Sequence, residues 1–466
     1  MYVLKFGGSS VANSKCILNV LNILSKRKQE KILLVLSACQ DITNKLEKIA
    51  EQVLQNNDEV CKTICNEIKQ IHLDIIQETI TNNLNNNYII QANNAVIDLC
   101  AELENLLVGV SLLHELTPQV MDKIYSFGER LSTTVFYYIA LEKGINIKWE
   151  DARKFIRTDD NFLCANVLEE PVKIQCQTIK DNFNNYDVIV TQGFIGSDLL
   201  NRTTTLGRGG SDLTAAIFGM ALQAECIEIW TDVNGILSAD PKLIPEAISI
   251  KEMQYSEIKE LSFWGAKVLH PKTILPAIKN NIKVKVLNSL NPNNEGTIIK
   301  AEITAENTEV HSIISKQNCS FVEFNIDETI KYIDVLELVL KYIDEKKIKL
   351  LYSTYSNQSI KLIIDNNKIN ELELNSLLNS LSNNKNINNR IIVKNNVDII
   401  CIAGQNFMSN INHFNDIIYN INECFYDDTE FLGMYIISSS ATLFIIKTEQ
   451  INSIIKNIHK RLFNYN

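Results

Sequence analysis

Five short apolar runs, each beside a helical pattern, constrain the fold of this chain more than any other feature. After the first run, Ile17, Val20, Leu21 and Leu24 recur at the spacing of one helix face. Strands that alternate with helices in this way are typical of a mostly parallel sheet covered by helices on both faces. The strand candidates are YVLKF (2–6), KILLVLSA (31–38), DVIVTQGF (187–194), CIEIWTDVNG (226–235) and IKVKVLNS (282–289).

A polar stretch from about residue 45 to residue 117 interrupts this alternation. It is rich in Asn, Gln and Glu between apolar positions such as Ile68, Ile71 and Ile75. We therefore expect an all-helical excursion there, within a first α/β domain that covers residues 1–298.

The character of the sequence changes near residue 298, where glycine almost vanishes and Asn, Ile and Lys become frequent. Two segments, 308–388 and 391–466, each have the pattern strand, helix, strand, strand and a further helix. A weak internal repeat of small α+β domains is the simplest interpretation. The polar stretch LSNNKNINN (381–389) is predicted to link them, and 466 residues are enough for two or three domains in all.

Composition argues against several classes of function. The formal charge is −10, from 45 Lys and Arg against 55 Asp and Glu, without a long basic run, so we expect no nucleic-acid or membrane partner. No run approaches the roughly 18 apolar residues of a membrane span, and the N-terminus has no signal-peptide pattern. Eleven cysteines without CxxC or zinc spacing indicate reduced thiols, and hence a cytoplasmic protein.

The first glycine loop, KFGGSSVAN (5–13), follows a strand and precedes a helix. Gly7 and Gly8 would let backbone amides approach a phosphate closely, and Lys5 adds a full positive charge. A plain strand-to-helix turn explains the same letters equally well. The chain has neither the Walker A pattern nor GxGxxG, so a P-loop NTPase or a Rossmann dehydrogenase is not supported.

The second glycine loop lies in TTTLGRGGSDLTAA (203–216), at the start of an apolar helix. Ser211 or Asp212 could cap that helix, which is worth about 1 kcal/mol. A cap, however, requires neither Arg208 nor glycines on both sides of it. An arginine in a glycine loop is suited to a bidentate grip on a carboxylate or phosphate, and we favour this interpretation. The glycines are Gly207, Gly209 and Gly210.

Glu129, in SFGERLST (126–133), is a candidate for holding a substrate ammonium, although it could equally be a solvated acid of a first helical turn. The loop WTDVNGILSADPKLIP (230–245) leaves a strand, and such loops bind ligands at the carboxyl ends of parallel strands.

The stretch FWGAKVLHP (263–271) adds one more lysine, Lys267, and a histidine, His270. We interpret His270 as structural, because nothing near it in the sequence reads as a nucleophile that it could activate.

Seven motifs together resemble the aspartokinases of the amino-acid kinase superfamily, in the right order over residues 1 to about 298. This resemblance implies the amino-acid-kinase fold and, with Mg²⁺ and ATP, phosphorylation of the β-carboxylate of L-aspartate to 4-phospho-L-aspartate. That reaction is the first step towards lysine, threonine, methionine and diaminopimelate. The motifs are KFGGSSVA, DITN, SFGER, TQGFIGSD, TTTLGRGGSDLTAA, WTDVNGILSADP and GAKVLHP.

The resemblance also implies roles for individual residues. The transferring phosphoryl group would be held by Lys5 and the amides of Gly7, Gly8 and Ser9, with Lys267 neutralising the ATP phosphates from the other side and Asp212 orienting the charged groups. The aspartate pocket would comprise Thr43, Glu129, Arg208 on the α-carboxylate, Gly209, Gly210 and Ser211. The nucleotide site would include Thr231, Asp232, Leu237, Lys242 and Val268.

Two departures from the family pattern fall in these motifs. Leu237 stands where most relatives have an aromatic residue, so that any stacking or hydroxyl contact to the nucleotide is lost. Asp41 stands where a glycine is usual, and we expect the loop before Thr43 to be less free in φ.

By the same resemblance the two C-terminal segments would be paired ferredoxin-like ACT domains, which bind amino-acid effectors and build dimers. In many relatives the last strand of the chain returns to the first of these domains. The strand-to-helix turns of the two segments, DETIKYIDVLEL (327–338) and MSNINHFNDI (408–417), lack the usual glycines. We therefore expect weak or absent inhibition by lysine or threonine, and a fold kept for homodimerisation in a monofunctional enzyme. The alternatives are another carboxylate kinase of the superfamily and a non-catalytic regulatory protein.

Overall fold

The computed structural model describes two compact units, which are not contiguous stretches of the chain. The first comprises Met1–Leu237, Ser249–Lys259 and Lys267–Thr304, and the second comprises Ser238–Ile248, Glu260–Ala266 and Ala305–Asn466. The residues described are 1–27, 29–80, 87–266, 269–301, 309–325, 332–356, 359–365, 391–405 and 410–463.

The first unit contains an eight-stranded sheet with the strand order β3-β4-β2-β1-β7-β9-β10-β8. Every neighbouring pair is parallel except β9 and β10. The five predicted strands are confirmed as β1, β2, β4, β7 and β9. The strands are β1 (Tyr2–Phe6), β2 (Ile32–Leu36), β3 (Ile147–Trp149), β4 (Val188–Gln192), β7 (Cys226–Thr231), β8 (Glu252–Gln254), β9 (Lys283–Asn288) and β10 (Thr297–Lys300), with a separate hairpin of β5 (Ile195–Ser197) and β6 (Thr203–Thr205).

Helices follow most of these strands, as the parallel pairing requires. They are α1 (Ser14–Ser25), α2 (Ile42–Leu54), α3 (Asp58–Thr79), α4 (Asn87–Leu113), α5 (Pro118–Glu142), α6 (Glu169–Gln175), α7 (Gln177–Asn182), α8 (Gly210–Leu222), α9 (Tyr255–Trp264) and α10 (Pro271–Lys279). The last five residues of α9 belong to the second unit.

The predicted helical excursion is present as α2, α3 and α4, which lead into α5. Their buried faces join one hydrophobic core with β1, β2 and β4, in which Ile68, Ile75 and Phe127 are fully or almost fully buried. Helices α2, α3 and α4 therefore share a hydrophobic core with α5, the helix that carries the predicted residue Glu129.

The second unit contains a six-stranded antiparallel sheet with the order β12-β13-β11-β14-β16-β15. The predicted repeat is visible in it, since strand, helix, strand, strand occurs twice and a helix closes the second copy. The elements are β11 (Glu309–Asn325), α11 (Tyr332–Glu345), β12 (Leu350–Tyr355), β13 (Ser359–Asp365), β14 (Ile391–Gln405), α12 (Ile411–Asn422), β15 (Glu430–Ser438), β16 (Ala441–Lys447) and α13 (Ile451–Leu462).

The two copies are joined through their first strands, because β11 and β14 pair along most of their length. The last described strand, β16, pairs with β14 and β15, both in the second copy. A return of the last strand to the first copy is therefore not what the described residues show. The predicted linker at 381–389 and the closing helix of the first copy lie outside the described residues.

Two segments that precede residue 298 are built into the second unit. Ala239 and Ile244 belong to its core together with Ile313 and Ile454, and the backbone N–H of Ile313 donates to the carbonyl of Ser238 at 2.8 Å. Trp264 is buried in another part of the same unit's core. These side chains explain why residues 238–248 and 260–266 fold with the repeats.

All eleven cysteines are free thiols. None of the helices in the described ranges is long and apolar enough to cross a lipid bilayer.

Candidate active site

The carboxyl ends of four neighbouring parallel strands meet at one edge of the first unit's sheet. The register aligns Phe6 with Leu36 on β2 and with Trp230 on β7. Two backbone hydrogen bonds connect neighbouring segments at these strand ends. The Gly7 amide donates to the Trp230 carbonyl at 3.2 Å, and the Gly193 amide donates to the Leu36 carbonyl at 2.8 Å. This is the edge at which sheets of this class bind ligands.

Lys5 and Asp212 form an ion pair at this edge. Lys5 Nζ lies 2.6 Å from Asp212 Oδ1, and the side chains are only 12% and 16% exposed. The geometry is that of an ion pair and not of a well-aligned hydrogen bond. Asp212 lies in the first turn of α8, where the helix dipole also favours negative charge. The structure thus brings together the two glycine loops that the sequence singled out.

The first loop adopts a tight turn immediately after β1. Gly7 is extended, and residues Gly8–Val11 form a single turn of 3₁₀ helix before Asn13 caps α1 through the Cys16 amide. A Cβ at Gly8 would lie 2.9 Å from the Ala38 carbonyl oxygen, so that glycine is required there by packing. The sequence predicted a helix directly after the glycines, and the 3₁₀ turn is the refinement.

The second loop uses two glycines in the left-handed region, Gly207 at φ 71° and Gly209 at φ 75°. Gly209 is the N-cap residue of α8, so neither Ser211 nor Asp212 occupies the capping position. A Cβ at Gly209 would lie 2.8 Å from Thr273 Cγ2. The cap interpretation is therefore wrong, and the glycines are explained by backbone conformation and close packing.

Arg208 lies between these glycines and is exposed. It forms no hydrogen bond or ion pair with any residue in the described ranges. Its place is set by the backbone of the loop alone, which leaves the guanidinium free to bind an anion.

Glu129 is the most unusual carboxyl group of this unit. Glu129 is 3% exposed, and its Oε2 has no hydrogen-bond partner within the described part of the chain. Burial raises the pKa of Glu129 to about 8. Gly128 makes this position possible, because a Cβ there would lie 2.8 Å from the Ala38 Cβ. A buried carboxyl with a free oxygen is suited to receive a cation.

Thr43 lies half-buried in the first turn of α2, a helix that packs against α5. Asp41, just before that helix, adopts φ 64°, so the loop keeps a glycine-like conformation without a glycine. Asp is one of the few residue types that tolerate this region. The loop therefore adopts the conformation of a glycine, and the expectation that Asp41 leaves it less free in φ stays a prediction.

The predicted nucleotide residues are only partly gathered at this edge. Thr231 ends β7, and its hydroxyl donates to Asp232 Oδ1 at 3.0 Å. Leu237 forms an isolated bridge with Ser249. Lys242 is exposed and belongs to the second unit. Lys267 and Val268 lie outside the described residues.

Sequence reasoning missed several residues at this edge. Ser10 and Ser289 share a hydrogen bond of 2.8 Å, which ties the first glycine loop to the end of β9. A Cβ at Gly193 would lie 2.6 Å from the Ser211 side chain, so TQGF supports the start of α8. Asp122 on α5 was missed as well, since a single acid in a helix carries no signal of its own. Gly193 was already within a quoted motif and could have been found there.

Comparisons with known proteins identify the family to which this chain belongs. Residues 1–288 match the model of the amino acid kinase family. Aspartokinase 2, chloroplastic, of Arabidopsis thaliana is 33% identical over 82% of this chain and 69% of the relative. Aspartokinase 1, chloroplastic, of the same plant is 32% identical over 80% of this chain, and the match spans 64% of the relative.

Solved structures of E. coli aspartokinase III resemble the whole chain. The complex with lysine and aspartate is 28% identical with a TM-score of 0.78, and the complex with aspartate and ADP has a TM-score of 0.76. Both likenesses cover 100% of each chain. The chain therefore belongs to the amino acid kinase family and, within it, to the aspartokinases.

Proposed function

We propose that this protein is an aspartate kinase, which transfers the γ-phosphoryl group of ATP to the β-carboxylate of L-aspartate and yields 4-phospho-L-aspartate and ADP. The observation that carries the proposal is Lys5 Nζ, held 2.6 Å from Asp212 between two glycine loops at the carboxyl edge of the sheet. The E. coli relative was solved with aspartate and ADP, the ligands expected of such a site.

Transfer of a phosphoryl group to a carboxylate requires no activated nucleophile. The two reactants are anions, so the protein has to position them in line and offset their repulsion. A lysine and backbone amides at a glycine turn do this without proton transfer. This explains why the site needs no catalytic triad.

Lys5 and the amides of Gly7, Gly8 and Ser9 would stabilise the transferring phosphoryl group. Asp212 holds Lys5 in place and keeps the local charge balanced. We assign Lys267 to the ATP phosphates and Thr231, Asp232, Leu237, Lys242 and Val268 to the nucleotide, on the strength of the motif match.

The aspartate pocket is proposed at α5 and the second loop. Glu129 would bind the α-ammonium, because its free Oε2 is buried and lacks a positive partner. Arg208 would bind the α-carboxylate as a bidentate pair. Thr43, Gly209, Gly210 and Ser211 complete the pocket in this proposal.

Magnesium is proposed to enter with the nucleotide. No group of three or more His, Cys, Asp or Glu suited to a metal ion occurs among the described residues. The few carboxylates at this site, such as Asp212 or Asp232, fit Mg²⁺, which keeps several water ligands and binds mainly through the nucleotide phosphates with one or two protein carboxylates. When bound, the ion would neutralise charge on the phosphates.

A substrate panel tests the function. Purified protein with ATP and Mg²⁺ is assayed by hydroxylamine trapping of the acyl phosphate with aspartate, glutamate, and acetylglutamate as acceptors. We expect signal with aspartate. Signal with glutamate but none with aspartate would support the rival carboxylate kinase, and no turnover with any acceptor would support a non-catalytic protein.

The second unit is proposed to mediate homodimerisation with weak or absent feedback control. The E. coli relative was solved with lysine. The strand-to-helix turns of the two repeats here lack glycines, and residues 327–331 and 408–409 lie outside the described part of the chain. Inhibition of the initial rate several-fold by millimolar lysine or threonine would contradict this. Calorimetric titration of both amino acids measures binding directly.

A reducing, cytoplasmic location is proposed as well. It is supported by the eleven free thiols, of which nine are buried.

A further inference from the structure

Asp122 is a buried carboxylate to which neither motif matching nor the proposed reaction assigns a role. It lies on α5 with no exposed surface. The Leu163 amide donates to both carboxylate oxygens, at 3.1 and 3.0 Å. Thr205 donates twice more, from its amide to Oδ2 at 3.0 Å and from its hydroxyl to Oδ1 at 2.6 Å. All of these donors are neutral, so Asp122 serves as a fixed point for two pieces of backbone.

The two backbone segments that Asp122 holds, at Leu163 and at Thr205, both lie close to Gly207. The carbonyl oxygen of Leu163 and Cys164 Sγ each lie 3.3 Å from the place that a Gly207 Cβ would occupy. The Ala165 amide donates to the Thr205 carbonyl at 2.9 Å, which joins the two pieces to each other. Asp122 therefore holds the backbone at Leu163 and Thr205, beside which Gly207 adopts its left-handed conformation.

Arg208 follows Gly207 directly, and none of the described residues holds its side chain. The direction in which its guanidinium leaves the loop depends on the backbone of Gly207 and Gly209. A movement of the backbone at Leu163 or Thr205 would therefore change the direction of Arg208, because none of the described residues holds its side chain.

Glu129 lies seven residues after Asp122 on the same helix. Seven residues are close to two turns, so the two carboxyls lie on one face of α5, about 10 Å apart along the axis. One rigid helix therefore carries both the proposed ammonium ligand and the support of the proposed carboxylate ligand.

We propose that Asp122 is a positioning residue that sets the distance between Arg208 and Glu129 and thereby the affinity for aspartate. The inference rests on the proposed function. It concerns the groups that bind the α-ammonium and α-carboxylate of the substrate, and not those at the β-carboxylate that reacts. Its signature is therefore a change in KM for aspartate, with kcat and KM for ATP nearly unchanged.

Asp122→Asn is the decisive variant. It keeps the shape of the side chain but turns one acceptor into an NH₂ group that faces N–H or O–H donors. We expect KM for aspartate to rise about tenfold or more, and kcat and KM for ATP to change less than about threefold. Thr205→Ser keeps all donors, so its KM for aspartate should equal that of the wild type. Thr205→Val removes only the hydroxyl, so its KM should lie between those of the wild type and Asp122→Asn.

Glu228→Gln is the matched control. Glu228 is also a buried carboxylate of this unit, 3% exposed, and accepts two bonds of 2.8 Å from Arg27 and one of 3.0 Å from Trp230 Nε1. Its loss should reduce stability as much as Asp122→Asn without a selective change in KM for aspartate. An equal effect of both variants on KM would overturn the proposal.

Hydrogen exchange provides a readout that does not need turnover. Asp122→Asn should speed exchange of the amides at 203–210, and Glu228→Gln should not. Unchanged exchange there would overturn the inference, as would unchanged KM in an active enzyme. A wild-type protein that does not phosphorylate aspartate would refute the proposed function, and exchange would still decide whether Asp122 holds the loop.

Discussion

Lys5 Nζ and Asp212 Oδ1 lie 2.6 Å apart, although 207 positions separate these residues in the chain. The contact joins the end of the first strand to the first turn of α8. A cation held in this way is oriented before substrate arrives, so little reorganisation is needed during phosphoryl transfer.

Lys5→Ala is expected to lower kcat by about 10²–10³-fold with little change in folding, because it removes a charge from the transferring group. Lys31→Ala is the matched control, since Lys31 pairs with Asp187 at 2.9 Å and is far more exposed. Initial rates and circular dichroism of both variants check this. Near-wild-type turnover of Lys5→Ala would show that the first glycine loop does not bind phosphate.

The pH dependence of aspartate binding is expected to follow Glu129. Burial raises the pKa of Glu129 to about 8, so the carboxyl is mostly protonated at pH 6 and must lose its proton to bind an ammonium. We expect kcat/KM for aspartate to rise by up to about tenfold per pH unit from pH 6 and to level off near pH 8. Kinetics across this range measure it.

Two variants isolate the group responsible. Glu129→Gln should have a lower and flatter profile. Asp398→Asn, which alters a second buried carboxyl whose pKa burial raises to about 6, should keep the wild-type profile, because Asp398 belongs to the second unit. If wild type and Glu129→Gln had the same slope, the assignment of the ammonium site would be wrong.

The raised pKa of Glu129 also predicts how the free energy of unfolding depends on pH. Below about pH 4.5 Glu129 is protonated whether the chain is folded or unfolded. Between about 4.5 and 8 the unfolded chain ionises while the folded chain keeps the proton, so the folded state binds more protons and stability falls as pH rises. Above about 8 the loss is complete.

Glu129→Gln lacks this titration and should be more stable than wild type by on the order of a few kcal/mol at pH 8, and about equal at pH 4. Urea unfolding of both proteins at several pH values measures the difference, in which other titrating groups cancel. A difference that does not depend on pH would contradict the raised pKa.

Gly209→Ala and Gly144→Ala form a matched pair at nearly equal backbone angles, φ 75° and 74°. Both should lose about 1 kcal/mol of stability from strain in the left-handed region. Only Gly209→Ala also places a Cβ 2.8 Å from Thr273, whereas the Cβ at Gly144 meets nothing within 4 Å. Gly209→Ala alone should therefore raise KM for aspartate several-fold, and equal kinetics of the two variants would contradict a role of the Gly209–Thr273 packing in placing Arg208.

The sequence was sufficient for the sheet and for the repeats, because buried strands such as Ile32–Leu36 are apolar throughout and Val188–Gln192 begins with three apolar residues. It was also sufficient to mark Lys5 and Asp212 separately, through their glycine neighbours. It could not show that they touch, because pairing between β1 and α8 depends on strand order and not on local pattern.

Other features were beyond sequence reasoning for different physical reasons. The burial of Glu129 depends on Gly128 packing against Ala38, which is a tertiary contact. The left-handed backbone at Asp41 goes against the usual preference for glycine. Three of the four hydrogen bonds to Asp122 come from backbone amides, which every residue except proline supplies and which therefore leave no pattern in the sequence.

The inclusion of Ser238–Ile248 in the second unit has a consequence for dissecting this protein. A fragment cut at residue 298 would contain the whole eight-stranded sheet apart from its last two residues. It would also expose Ala239 and Ile244, whose apolar surroundings come from residues beyond the cut. Such a fragment should aggregate or lose order at the segment that carries Lys242. A circularly permuted protein, which contains all residues of the chain, would keep the apolar surroundings of Ala239 and Ile244 that truncation removes.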